Sequence, residues 1–159
     1  MTSIAKSIIP GGGKAAGSLA RGLPPGCSLR RAAPGDAERI VPLLRPDDRI
    51  EMEALEGRPA LEVLKGWMSG GSRVLAVGGN AVAIYGIVPC LDPDVMHGDT
   101  PGAATPWLAL VATLGRDDLA DVLWLSRFQI DAWQRRWPVL LTVCDIRNRF
   151  RARWLDWLG

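Results

Sequence analysis

Hydrophobic and polar positions alternate most clearly near the carboxyl end of the chain. Residues 139–144 put Val139, Leu141 and Val143 on one face of an extended segment and Leu140, Thr142 and Cys144 on the other. Both faces are largely apolar, so the pattern predicts a strand covered on both sides. Asp145, Ile146, Arg147 and Asn148 break it with a polar corner. Beyond the corner, Phe150, Trp154, Trp157 and Leu158 recur at helical spacing and form one apolar stripe. Arg147, Arg149, Arg151 and Arg153 lie mostly beside or opposite that stripe.

The rest of the chain reads in the same way. Residues 28–32 start a strand. Pro34-Gly35-Asp36 signals a helix start with Asp36 as N-cap, and Ala37, Ile40, Val41 and Leu44 follow at helical spacing. Pro46 breaks that helix, and a second helical piece runs to Leu55. Glu51, Glu53 and Glu56 read as its solvated face. Pro59 opens a further helix with Leu61, Leu64, Trp67 and Met68 inward. Residues 73–77 and 81–88 are β-like runs around Gly78-Gly79-Asn80, the clearest hairpin signal in the chain. Residues 89–106, with four prolines, predict a surface loop, and 107–113 another strand. Asp117 and Asp118 favour a helix start. Leu119, Val122, Leu123, Ser126, Ile130, Trp133 and Trp137 form that helix's core face, and Pro138 ends it. The predicted order is β-α-α-β-β-β-α-β-α, an α/β (α+β) domain, with no internal repeat.

Composition adds limits. The 159 residues support one domain, and 48% apolar content is enough for a core. A net charge of +2 does not by itself indicate nucleic acid or membrane as a partner. Seven tryptophans against one tyrosine suit buried anchors or interfaces. Cys27, Cys90 and Cys144 are far apart and read as reduced thiols. His97 is the single histidine, so neither a metal cluster nor histidine-assisted nucleophilic catalysis is expected. No apolar run is long enough to span a membrane.

Residues 1–26 differ from the remainder, 27–159. They hold six of the 18 glycines, three of the 12 prolines and the bases Lys6, Lys14 and Arg21, with no acid. They carry +3, leaving 16 bases and 17 acids, or −1, for the domain. Such a segment cannot bury enough surface to fold alone. It is either a flexible tail or an arm ordered on a neighbouring subunit, with Ile4, Ile8, Ile9 and Leu19 as anchors.

The element order over about residues 28–159 resembles the Gcn5-related N-acetyltransferase (GNAT) fold, a mixed central sheet flanked by helices. Asn148 and Gly159 stand eleven apart, matching the family's Asn after the fifth strand and the glycine closing the next helix. The chain is similar to a narrower group, the GNAT-like virion and morphogenesis proteins of short-tailed bacteriophages. The matching segments are LRPDD at 44–48, TPWL at 105–108, LSR at 125–127, DIRN at 145–148 and RWLDWLG at 153–159.

Two features that the family's acetyl transfer implies are missing. The resemblance implies a Gln/Arg-x-x-Gly-x-Gly/Ala loop holding the cofactor pyrophosphate on backbone N–H groups before the helix that follows the fourth strand. Here residues 112–118 contain one glycine and end in two carboxylates. The family's general acid, a tyrosine seven residues after the Asn, falls on Leu155, and the only tyrosine is Tyr85. The expectation is therefore a non-enzymatic structural or assembly component of a tailed-phage virion, assembled in the host cytoplasm. It would use no cofactor and contact other virion proteins or its own copies. Arg147, Arg151, Trp154 and Trp157 join the arm residues as interface candidates. Asp145 or Asn148 is expected to cap the last helix, with Arg147 paired locally, and Trp154 and Trp157 serve either core or interface. The alternatives are a divergent N-acetyltransferase using acetyl-CoA and a DNA-contacting module near a genome channel, whose affinity would fall steeply with salt.

Overall fold

The computed structural model describes residues 4–9, 23–89 and 103–158. The strands are β1 (Ile4–Ile9), β2 (Cys27–Arg31), β3 (Arg73–Val77), β4 (Asn80–Pro89), β5 (Ala103–Leu110) and β6 (Val139–Asp145). The helices are α1 (Asp36–Ile40), α2 (Pro46–Glu56), α3 (Ala60–Met68), α4 (Arg116–Gln134) and α5 (Arg149–Leu158). A 3-10 turn, Val41–Leu43, links α1 to α2. After β1, the strands and the last two helices follow the predicted order, but three helices, α1–α3, stand between β2 and β3 where the predicted order has two. The arrangement is the predicted α+β mixed sheet flanked by helices.

The strands form one sheet in the order β1-β6-β5-β4-β3-β2. Neighbours are antiparallel except β5 and β6. The β3–β4 hairpin turns at Gly78 and Gly79, both at positive φ (56° and 83°), a conformation that side chains disfavour. Within the amino-terminal segment, Ile4–Ile9 form the edge strand β1 on β6, from Ile4↔Asp145 to Ile9↔Leu140. The sequence gives it as part of an arm because its short apolar run is isolated among glycines. Leu19 lies outside the described residues.

Two further expectations change. β5 starts at Ala103, four residues before the predicted strand, so Thr105 and Pro106 belong to it. Asp36 does not cap α1. Its buried carboxylate takes two bonds from Arg30 on β2 (2.7 and 2.8 Å) and one from the Ala33 N–H (2.7 Å).

The core lies on both faces of the sheet. Ile40, Met52, Val63 and Leu64 come from α1–α3, and Val74, Leu75, Ile84, Leu108 and Leu110 from the strands. Val122 and Ile130 enter from α4, and Trp154, Leu155 and Leu158 from α5. Each fully buried large side chain contributes roughly 1.5–3 kcal/mol. The Trp107 ring lies against β4, where a Cβ on Gly86 would fall 2.8 Å from it, and Trp67 packs against it tilted by 40°, with ring centroids 5.5 Å apart.

Candidate functional site: the notch between β5 and β6

β5 and β6 pair only at Ala103↔Val139 and Ala104↔Leu140, then part. Past that point, the even-numbered residues of β5 face a notch, because Val111 N–H bonds to Val82 O on the β4 side. Pro106 faces it without an N–H to satisfy, which is why a proline is tolerated inside this strand.

The chain fills the notch with its own groups. The Arg151 guanidinium donates to Leu108 O at 2.6 Å. Arg45 N–H donates to Leu110 O at 3.0 Å, and Ala112 N–H donates to Leu43 O at 2.8 Å. Leu44 pairs with Val111 as an isolated antiparallel bridge. A short stretch before α2 thus takes the place that β6 vacates.

Arg151 belongs to a buried polar cluster. Its Nε lies 3.2 Å from Glu51 Oε2, and its Nη2 lies 3.9 Å from Asp48 Oδ1. Asn148 Nδ2 donates to Asp48 Oδ1 (2.9 Å) and Glu51 Oε2 (2.8 Å). Asn148 Oδ1 accepts from Arg151 N–H at 3.2 Å, which makes Asn148 the N-cap of α5. Glu51 Oε1 accepts from Asp145 N–H at 2.6 Å. Asp48, Glu51, Asp145, Asn148 and Arg151 are all buried. Charged groups removed from water must be paired and hydrogen-bonded, and here they pair with one another.

The corner itself is closed by Asp145 and Arg147. Arg147 Nε and Nη2 and its backbone N–H all donate to the Asp145 carboxylate. The guanidinium bond, with the backbone bond behind it, holds the Asp145 carboxyl down at about 2.

The segments 44–48, 105–108, 125–127 and 145–148 all grip α5, which 153–159 help to form. LRPDD supplies Asp48 and also Arg45, whose guanidinium lies 3.8 Å over the Phe150 ring. TPWL supplies Leu108 O. LSR supplies Ser126, which accepts from Trp154 Nε1 at 2.9 Å, and Arg127, which donates to Trp157 O at 3.0 Å.

No family model and no curated protein matches the chain. Among solved structures, it is similar to the C-terminal domain of a candidate lysylphosphatidylglycerol synthetase from Agrobacterium fabrum (TM-score 0.39, 16% identity). That match covers 87% of this chain and 47% of the other, so the chain spans about half its length. It is also similar to a candidate acetyltransferase from Clostridium difficile 630 (TM-score 0.39, 15% identity), over 65% of this chain and 70% of that one. Both are distant similarities of fold.

The interface candidates fall into two groups. Arg147 and Trp157 are exposed at the surface. Arg151 and Trp154 are inside the fold, so neither is available to a partner on the surface. The solvated-face reading of Glu51 is also corrected, since Glu51 is 2% exposed and holds Asn148 and Arg151. Asp48 and Glu51 were not legible as site residues. The one local signal was their three-residue spacing on a helix, which puts both on one face.

At the start of α4, Asp117 and Asp118 occupy the first turn. Leu155 is buried. Tyr85 packs edge-on to Trp133, and burial pushes its hydroxyl up to about 12. Burial also raises the Cys144 thiol, and Glu51 raises it further. Among the described residues, no group of three or more His, Cys, Asp or Glu side chains could hold a metal, and no helix is long and apolar enough to cross a membrane.

Proposed function

We propose that this chain is a non-enzymatic structural or assembly protein of a tailed-phage virion, acting through contacts with its own copies or other virion proteins. The observation that carries the non-enzymatic part is the self-filled notch. Leu108 O, Leu110 O and the buried Asn148 and Arg151 side chains are engaged within the chain. The polar corner therefore works as a clasp for α5. The acid-bearing start of α4 disfavours a pyrophosphate by like charge. The virion part rests on the resemblance of the segments gathered around α5.

A divergent acetyltransferase is the second reading, and one feature favours it. A cavity of about 300 Å³ opens beside the notch, lined by Trp67, Thr105, Trp107, Thr142 and Arg151 among others. That is near the lower end for small-molecule sites. The test is a thermal-shift and calorimetric titration with acetyl-CoA at millimolar concentration. The structural reading expects no heat and no shift. One-to-one binding at 100 times the dissociation constant would add about 2.7 kcal/mol, or several degrees, and would overturn it.

A further inference from the structure

We infer that the strand seated on β6 is donated by a second copy of this chain, so that residues 4–9 cross between subunits. This inference rests on the reading of the protein as an assembly component, and it names the groove and the register. β1 packs on β6 and α5 at one edge of the sheet, whereas β2 forms the opposite edge. The residues between Ile9 and Cys27 must therefore join opposite edges. They must also join opposite ends. Ile9 lies level with Leu140, Ala104 and Pro89, at the end of β4, whereas Cys27 lies level with Val77 and Asn80, at its start.

The span can be sized. Five strand spacings of about 4.8 Å give roughly 24 Å across the sheet. Nine residues along β4 add roughly 30 Å in the strand direction, reduced by the sheet's twist. The direct separation is thus roughly 30–40 Å. Helices α1–α3 cover one face and α4 the other, so the connection must go round them. Pro24–Gly26 are held in a turn by bonds from Cys27 N–H to Pro24 O and from Gly78 N–H to Gly26 O, both 3.0 Å. Thirteen residues, 10–22, therefore make the connection, and five of them are glycine. A glycine-rich chain of that length has a relaxed end-to-end distance of roughly 20 Å and a limit of about 45 Å. Closing within one chain is reachable but stretched. A neighbour's β6 can be reached with the connection relaxed. The acceptor is an open sheet edge with six register positions, which a strand from either chain fits equally. Reciprocal exchange would close a two-fold pair.

The experiment uses full-length chains with Cys27, Cys90 and Cys144 replaced by serine or alanine. Lys6 and Val143 are register partners. An affinity-tagged Lys6→Cys chain is mixed with an untagged Val143→Cys chain, refolded together and oxidised. The expected result is a disulfide-linked heterodimer. If only the double variant cross-links, as a monomer, donation is within one chain and the inference falls. If neither arm cross-links, β1 is not on β6 in this register and the inference also falls. Light scattering on the unmodified protein gives an independent check. A dimer or larger species that becomes a monomer on deletion of residues 1–22 is expected, and a monomer before deletion would overturn the inference. The acetyl-CoA titration is a separate measurement, so the two readings can fail separately.

Discussion

Arg151 reaches out of the first turn of α5 and donates to Leu108 O, on a strand that has already separated from its parallel neighbour. One side chain thus replaces part of a sheet ladder. The same guanidinium faces the buried Glu51 and Asp48. Removing one partner of a buried ion pair is far more costly than replacing the whole pair.

Arg151→Met should therefore cost about 3–5 kcal/mol. That corresponds to a fall in Tm of roughly 6–20 °C for a chain of this size. Adding Glu51→Gln should recover part of the loss, because one uncompensated carboxylate is removed. Thermal unfolding of the two single variants and the double variant checks this. Simple additivity would mean that Arg151 and Glu51 are not coupled.

Asn148→Asp keeps a good capping residue but introduces a third carboxylate beside Asp48 and Glu51. Asn148→Ala loses the cap and two bonds to carboxylates, at about 2–4 kcal/mol. Asn148→Asp should be the more destabilising of the two at neutral pH. Denaturant melts of both variants at pH 7 would show it. An Asp variant as stable as wild type would rule out a buried, charged cluster.

Asp145 contributes stability because Arg147 holds its carboxyl at about 2, below the ordinary carboxylate range. A depressed carboxyl in the folded state stabilises above the unfolded value of about 3.9, and that contribution is lost as pH falls toward 2. Arg147→Ala should raise the Asp145 midpoint toward the ordinary value. Carbon-detected NMR titration of the Asp145 carboxyl reads this directly, and an unchanged midpoint would mean that Arg147 is not the cause.

Tyr85 is the only tyrosine, so its ionisation can be followed without overlap. Absorbance near 295 nm should show the hydroxyl titrating at about 12 rather than near the ordinary value of about 10. A midpoint near 10 would place Tyr85 in contact with water.

Gly86→Ala would put a methyl group 2.8 Å from the Trp107 ring, which Trp67 also contacts. Overpacking of this kind costs about 1–3 kcal/mol. A lowered Tm with an altered near-ultraviolet tryptophan signal is expected. A change within 1 °C would mean the indole has room to move.

The sequence by itself determined the order of strands β2 to β6 and of α4 and α5, because each of these elements carries its own local signal. Gly78 and Gly79 supply the positive φ of the hairpin. Alternation over 139–144 marks β6. Asn148 stands where a helix needs a cap, and it caps. Trp154 follows the helical stripe into the core, while Trp157, on the same stripe, stays exposed beside Arg127. Pro106 concealed the start of β5, because a proline in a strand reads as loop unless its missing N–H faces an unpaired edge.

Only the tertiary structure decided the clasp and the edge. Asn148 and Asp48 are 100 residues apart, and no local pattern joins them. Glu51 is one of several acids on a charged helix, and only the arrival of Asn148 and Arg151 on that face makes it buried rather than solvated. The parting of β5 from β6 is likewise invisible in either strand alone. Strand signals come from a chain's own periodicity, whereas ladder partners are chosen by the geometry of the assembled sheet. The same reason hid β1, whose six residues become a strand only against the edge of β6.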